Sequence, residues 1–185
     1  MFCRSYHKVP TNQYPRMTKI GFLSDTHGYL DPRVFDHFAS CDEIWHAGDI
    51  GTTDIVDRLA EFKPLRAVHG NIDGYDIRLC CPLFLRFTCE KVNVLLTHIG
   101  GYPNHFSIEA KALLHTEVPD LFACGHSHIL KVQYDHHLKM LCVNPGAAGR
   151  YGFHTVQTLL RFTIDGKNIS DMEVIELSAP SLQKN

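Results

Sequence analysis

The chain has 185 residues, a hydrophobic content of 44%, a charged content of 21% and a formal net charge of −2 at pH 7. These values are typical of one soluble globular domain with a substantial core. The small net charge and the lack of a stripe of lysine and arginine exclude general electrostatic binding of a nucleic-acid polymer. No apolar run is long enough to cross a bilayer. Because the seven cysteines are not accompanied by a secretory segment, we expect reduced thiols and a cytoplasmic location.

The ends of the chain differ in pattern from its centre. Residues 1–16 lack periodicity and an apolar signal segment, and they include two prolines. We expect a flexible N-terminal extension over 1–16, a single domain over 17–178 and a C-terminal tail over 179–185. Since Met17 stands directly before the first predicted strand, we also hypothesise that the natural protein starts there.

Predicted strands and helices alternate through the first half of the domain. Short apolar runs at 19–24, 43–47 and 65–69 are typical of buried strands, and helices are predicted between them at 32–39 and 53–62. This βαβαβ order favours a parallel sheet with helical crossovers.

The second half of the domain is richer in antiparallel signals. The strands 83–88 and 92–97 form a predicted hairpin, and a helix is predicted at 107–116. Further strands are predicted at 121–124, 130–134, 139–143, 155–164 and 169–177. We therefore predict an α/β fold in which two mixed sheets pack face to face with helices outside.

Metal-capable residues follow the predicted strands, each where a strand gives way to a loop. They lie in five segments: Asp25-Thr26-His27, Gly48-Asp49, Gly70-Asn71, His98 and Gly125-His126-Ser127-His128. Residues at successive strand ends gather along one rim of a sheet. Two carboxylates, one amide and four imidazoles are too many ligands for one ion, and they suit two metals that share a carboxylate.

The spacing inside two of these segments supports a shared site. Asp25 and His27 are two residues apart, and in extended backbone such a pair points the same way, so both are expected to hold one ion. His126 and His128 repeat this spacing, and a slight rotation between them would let each serve a different metal.

Several further residues have candidate roles near the predicted centre. Asp49 has two oxygens with which to bridge two ions, and Asn71 can bind a metal through its oxygen while donating to a phosphoryl oxygen. Asp73 either orients a ligand or water or caps the loop before the fourth strand. Tyr102 either stacks on a substrate ring or is an ordinary loop residue, and Arg150 is a candidate contact for a substrate phosphate.

Histidine is abundant, with 13 in the chain. His46 either hydrogen-bonds a metal ligand or is a buried strand residue. We do not expect metal ligands among five of the others, which lie on predicted helix or strand surfaces or in a hairpin turn: His37, His115, His136, His137 and His154.

The ordered motifs D-x-H, G-D, G-N, H and G-H-x-H resemble those of the calcineurin-like metallophosphoesterase superfamily, and within it the small single-domain YfcE-like phosphodiesterases. The resemblance runs from about Lys19 to Leu177 and includes the turn Asn144-Pro145-Gly146-Ala147. It implies a four-layer αββα fold and two bound ions. It assigns the first ion to Asp25, His27, Asp49 and His128. It assigns the second ion to Asp49, Asn71, His98 and His126. We expect Asp49, Asn71, His98 and Asp73 to be the catalytic residues.

Two positions depart from the superfamily pattern. Many members have a histidine after the Gly-Asn pair that protonates the leaving group, and this chain has Ile72 there. An aliphatic side chain cannot supply general acid catalysis, which commonly contributes about 10²–10⁴-fold. The second departure is Ile99 after His98, where a glycine is usual; Gly100 and Gly101 follow it.

The resemblance implies a dinuclear-metal-dependent phosphodiesterase that hydrolyses a small phosphodiester or nucleotide by attack of metal-bridged hydroxide. Two alternatives stay open: a phosphomonoesterase or nucleotidase with the same metals, and a non-catalytic protein-binding scaffold of the same fold. Mixed nitrogen and oxygen ligands without thiolate favour Mn²⁺, Fe, Ni²⁺ or Zn²⁺ over Ca²⁺, and affinity alone does not choose among them. We expect Mn²⁺, with Ni²⁺, Fe, Zn²⁺ and Mg²⁺ as alternatives. We expect a small phosphoester as the partner, with neither a nucleic-acid polymer nor a membrane, and the sequence is compatible with a homo-oligomer.

Overall fold

The computed structural model describes residues 17–177, so the predicted extension and tail lie outside the described residues. The first five strands are Thr18–Leu23 (β1), Glu43–His46 (β2), Leu65–Ala67 (β3), Phe84–Cys89 (β4) and Val92–Thr97 (β5). The next five are Leu121–Ala123 (β6), Leu130–Asp135 (β7), Met140–Pro145 (β8), Gln157–Asp165 (β9) and Asn168–Leu177 (β10). The helices are Arg33–His37 (α1), Thr53–Phe62 (α2), Tyr75–Cys80 (α3) and Ile108–Thr116 (α4).

The strands form two five-stranded mixed sheets. The first sheet has the order β10-β9-β1-β2-β3, in which β1, β2 and β3 are parallel and β9 and β10 are antiparallel to their neighbours. The second sheet has the order β4-β5-β6-β8-β7, in which β5, β6 and β8 are parallel and the two outer strands are antiparallel. The predicted parallel start and the hairpin of β4 with β5 are confirmed.

Three apolar layers hold four layers of secondary structure together. The first packs α1, α2 and α3 against the first sheet, and the third packs α4 against the second sheet. Between the sheets lies Trp45, whose ring makes edge contacts with Phe87 of the second sheet and with Phe22 and Phe162 of the first. The predicted αββα arrangement is therefore the observed one.

The local predictions failed in two places on the same stretch. Strand β3 ends at Ala67 rather than at residue 69, and the sequence analysis missed α3. This helix has six residues, of which only Ile77 is buried, so it is too short to show a helical period. Among the described residues, no helix has both the length and the apolar character needed to span a membrane.

The topology brings the candidate ligands to one rim. Because β1, β2 and β3 are parallel, the loops that follow them leave the same edge of the first sheet. Because β5 and β6 are parallel, the loops that follow them also share an edge of the second sheet. Backbone hydrogen bonds link neighbouring loops within each edge, since Asp25 N donates to Gly48 O in the first sheet and Gly125 N donates to His98 O in the second, both at 3.0 Å.

Candidate metal centre

The ligand loops are left-handed rather than extended. Positive φ angles occur at five candidate ligands: Asp25 (56°), His27 (47°), Asp49 (51°), His126 (69°) and His128 (57°). The expectation that residues 25–27 and 126–128 converge through extended backbone was therefore wrong. Non-glycine residues rarely adopt this region, and such strain persists where surrounding structure enforces it, commonly at functional sites.

The first cluster combines one carboxylate with two imidazoles. Asp25 Oδ1 lies 3.2 Å from His128 Nε2 and 3.9 Å from His27 Nε2, and the two Nε2 atoms are 3.1 Å apart. Asp25 is fully buried, while the side chains of His27 and His128 are 17% and 16% exposed. These three atoms are therefore aimed at one point close to solvent.

The second cluster is formed by Asp49, His98 and His126. His98 Nε2 lies 3.2 Å from Asp49 Oδ1 and 3.1 Å from Asn71 Oδ1, so the Asn71 amide oxygen faces the same point. The His126 ring stands edge-on to the His98 ring with centroids 5.1 Å apart. All four residues predicted to hold the second ion are thus brought together.

Asp49 stands between the two clusters. Its Oδ2 lies 3.9 Å from His27 Nε2 of the first cluster, while its Oδ1 faces His98 of the second. Two glycines allow this approach, because a Cβ at Gly70 would lie 2.0 Å from Asp49 Oδ1 and one at Gly48 would lie 2.8 Å from His98 Nδ1. The predicted bridging position of Asp49 matches this geometry.

The donor atoms fit divalent metal ions. Asp25 Oδ1 is buried and has no hydrogen-bond partner among the described residues, which is costly for a carboxylate unless a cation completes it. His98 Nδ1 lies 2.7 Å from the carbonyl of Ala47. That contact requires the proton on Nδ1 and leaves the lone pair on Nε2. Imidazole and carboxylate ligands suit Mn²⁺, Fe, Ni²⁺ and Zn²⁺.

His154 supports the first cluster, although no motif in the sequence indicates that it lies there. Its Nε2 lies 2.9 Å from the carbonyl of Gly149, and its Nδ1 lies 3.2 Å from Nδ1 of His128. Since Nε2 donates to the carbonyl, Nδ1 of a neutral His154 accepts the proton of His128 Nδ1. This relay leaves the Nε2 lone pair of His128 directed at the cluster.

His46 supports the loops instead of touching a ligand side chain. It is fully buried, its Nε2 lies 3.0 Å from the Thr26 hydroxyl, and its Nδ1 accepts from Gly48 N at 3.1 Å. Burial lowers the pKa of His46 to about 4, so the ring is neutral near pH 7. His46 thereby connects the loop after β1 to the loop after β2.

Asp73 binds backbone rather than the cluster. Its carboxylate is buried and accepts from the N–H groups of Ile50 at 3.1 Å, Gly51 at 2.8 Å and Gly70 at 2.7 Å. From α3, Arg78 donates to the carbonyls of residues 73, 70 and 71. Asp73 therefore holds together the loops after β2 and β3, its predicted catalytic role stays a prediction, and Arg78 is a second support that the missed helix provides.

The charged groups of the centre shift one another's protonation. Burial raises the pKa of Asp49, but the hydrogen bond and charge of His98 outweigh burial and lower it overall. Burial opposes charge on His98, but Asp49 and Asp25 raise its pKa overall. Asp25 raises the pKa of His128, and burial together with His98 lowers that of His126. The two aspartates thus create a strongly cation-attracting site.

The two predicted substrate residues lie in loops with other partners. Tyr102 is 38% exposed, and Lys131 Nζ lies 3.4 Å from the centroid of its ring. Arg150 donates from Nη2 to the Tyr29 hydroxyl at 2.6 Å and stacks over the Tyr29 ring at 3.8 Å. Their roles in substrate binding stay predictions.

Comparisons with known proteins agree with this arrangement. The family model of the calcineurin-like phosphoesterase superfamily domain matches residues 18–167. A probable metallophosphoesterase of Methanothermobacter thermautotrophicus is 31% identical over 169 residues, covering 87% of this chain and 94% of that protein.

Two solved structures share the fold at lower identity. A novel archaeal phosphodiesterase has a TM-score of 0.66 at 20% identity, covering 86% of this chain and 99% of its own. Zinc-complexed Vps29 of Entamoeba histolytica has a TM-score of 0.63 at 16% identity, again covering 86% of this chain and 99% of its own. The family-model match and the relative from Methanothermobacter thermautotrophicus together show that this chain belongs to the calcineurin-like phosphoesterase superfamily.

Proposed function

We propose that the protein is a phosphodiesterase that uses two divalent metal ions, with Mn²⁺ as the favoured metal, to hydrolyse a small phosphodiester or nucleotide in the cytoplasm. The observation that carries the proposal is the position of Asp49, whose two carboxylate oxygens face different clusters at 3.9 Å and 3.2 Å from His27 and His98. A carboxylate shared in this way suits a two-metal site.

The side chains divide the work between holding ions and holding substrate. When bound, two divalent ions lower the pKa of water and neutralise charge on phosphoryl oxygens. Asp25, His27 and His128 would hold one ion, and His98 and His126 the other, with Asp49 shared. Because Asn71 directs Oδ1 at the second cluster, its amide NH₂ is free to donate to a phosphoryl oxygen.

Ile72 influences which esters can react well. Its backbone N–H donates to Asp49 Oδ1 at 3.1 Å, so this position helps to hold the shared carboxylate. Its side chain is 49% exposed and has no group that can transfer a proton. The best substrates should therefore carry a leaving group that departs without a proton, and this favours activated diesters over poor leaving groups.

The direct test compares a diester and a monoester that release the same alcohol. Purified protein is assayed with Mn²⁺ on bis(p-nitrophenyl) phosphate and on p-nitrophenyl phosphate, and then on cyclic nucleotides and dinucleotides. We expect metal-dependent hydrolysis with a higher kcat/KM for the diester. A preference for the monoester would favour a phosphomonoesterase or nucleotidase instead.

The scaffold alternative draws on the similarity of fold to Vps29. All the candidate ligand positions are filled in this chain, which supports catalysis, although that neighbour was itself solved with zinc. A scaffold would hydrolyse neither aryl ester with any of Mn²⁺, Ni²⁺, Zn²⁺ or Mg²⁺, even at high protein concentration. That result would overturn the proposed function.

A further inference from the structure

A cavity opens directly beside the second cluster. Its volume is about 240 Å³, and Asn71 and His98 form part of its wall. The cavity therefore begins at residues that would hold an ion and extends away from the first cluster's ligands, none of which lines it. A phosphoryl group at the centre would have one ester arm directed into this space.

The wall of the cavity is mainly apolar. Leu83, which precedes β4, is 57% exposed, and Ile99, which follows His98, is 38% exposed. Half-buried Leu113 of α4 completes this wall. Single exposed apolar residues are ordinary on protein surfaces, but side chains from three separate segments converge here on one concave surface.

Two charged side chains stand among these apolar residues. Arg78 is fixed by its bonds to the loop carbonyls, with Nε 2.7 Å from the carbonyl of Asp73, and no carboxylate of residues 17–177 lies within ion-pair distance of it. Its guanidinium is therefore held in one orientation against the loop. A fixed guanidinium plane stacks well on flat rings. Glu109 of α4 also lines the cavity and can accept a hydrogen bond from the edge of a ring.

We propose that this cavity binds a flat ring carried by one ester arm of the substrate, an aryl ring or the base of a nucleoside, while the phosphoryl group lies at the metal centre. The volume is sufficient for such a ring, since an apolar cavity of about 150 Å³ already holds benzene. An alkyl arm, or a sugar-alcohol arm without a base, would leave the Leu83, Ile99 and Leu113 surface in contact with water. The inference rests on the proposed function, and it makes Leu83 and Ile99 specificity-determining residues.

The test measures binding of probes with a single arm, so the position of the ring is unambiguous. Calorimetry on the Mn²⁺-loaded full chain compares phenylphosphonate, methylphosphonate and inorganic phosphate. We expect phenylphosphonate to bind at least about tenfold more tightly than methylphosphonate, because its ring leaves water for an apolar wall. In the double variant L83N/I99N, we expect this preference to fall to about threefold or less while methylphosphonate affinity is unchanged.

A matched control is V174N, which exchanges an equally apolar residue, 44% exposed, on the outermost strand β10. This variant should keep the full preference for phenylphosphonate. If the protein hydrolyses aryl diesters but binds the two phosphonates equally, the cavity assignment is overturned. A preference for phenylphosphonate that survives in L83N/I99N would overturn it as well. If the wild-type protein showed no metal-dependent hydrolysis, the proposed function itself would be overturned.

Discussion

The two sheets supply different kinds of ligand to one centre. Both carboxylates and the amide follow strands of the first sheet, whereas three of the four imidazoles follow strands of the second. Each cluster combines residues from both sheets, since Asp25 and His27 lie beside His128, and Asp49 lies beside His98 and His126. Neither sheet alone can hold an ion, so the centre depends on how the sheets pack.

The sheets also hold their ligands by different means. The carboxylates accept backbone N–H groups, from His126 to Asp25 Oδ2 and from Ile72 to Asp49 Oδ1, both at 3.1 Å. Two imidazoles of the second sheet are oriented by a partner on the far ring nitrogen, which is the Ala47 carbonyl for His98 and the His154 side chain for His128. The comparison shows that the two carboxylates and His98 are held by main-chain groups, while the orientation of His128 depends on one side chain, His154, that a substitution can remove.

The largest effect is expected where the two clusters share a ligand. Asp49→Asn removes the charge common to both, and charge stabilisation by metals is worth several kcal/mol, so kcat/KM should fall on the order of 10³-fold or more. Aryl diester hydrolysis and bound metal per chain are the measurements. The control is Asp54→Asn, on the exposed surface of α2, where the carboxylate pairs with Arg58 at 3.4 Å. Unchanged activity and metal content in Asp49→Asn would refute the shared site.

Metal removal should show how much bound ions add to the free energy of unfolding beyond the packing of the two sheets. An ion present at 100 times its Kd stabilises the folded state by about 2.7 kcal/mol, so chelation should lower the free energy of unfolding by roughly that amount per site. Urea unfolding with excess Mn²⁺ and with EDTA measures the difference. Asp49→Asn should lose most of this difference. An identical unfolding curve in both conditions would show that no ion links the sheets.

The relay through His154 tests how far imidazole orientation depends on a single support. His154→Gln should weaken metal binding at the first cluster by about 10–100-fold, as is typical when the partner of a ligating histidine is lost. The second cluster, which His154 does not contact among the described residues, should keep its affinity. Calorimetric titration of the metal-free protein resolves the two sites, and His115→Gln on exposed α4 is the control. If both affinities were unchanged, the relay would have no role.

The smallest effect is expected for the ion pair between Asp31 and Arg33, which contacts neither cluster. The Arg33 hydrogen bond lowers the pKa of Asp31 from 3.8 to about 2. A lowered carboxyl pKa stabilises the fold above the unfolded pKa, and this stabilisation is lost as the pH falls from 3.8 towards about 2. Arg33→Gln should therefore slightly lower Tm at pH 7, with a gap to wild type that narrows below pH 4. A gap independent of pH would contradict this assignment.

Much of the fold could be predicted because the apolar runs are long enough to show their period. The strands and the helices α2 and α4 were located within a few residues, and the parallel order of β1 to β3 followed from their alternation with helices. Helix α3 was missed because its six residues bury only Ile77. Its omission also concealed Arg78, which holds the loop that carries Asn71.

The sequence by itself determined which residues form the centre, because parallel strands end at the same edge and their following residues must gather there. Only the tertiary structure decided how they converge, since left-handed backbone at residues such as Asp25 and His27 is held by hydrogen bonds between loops. Tertiary structure also decided the partner of His128, because His154 is 26 residues away and no local pattern links them. The cavity beside His98 likewise exists only through packing of segments distant in sequence.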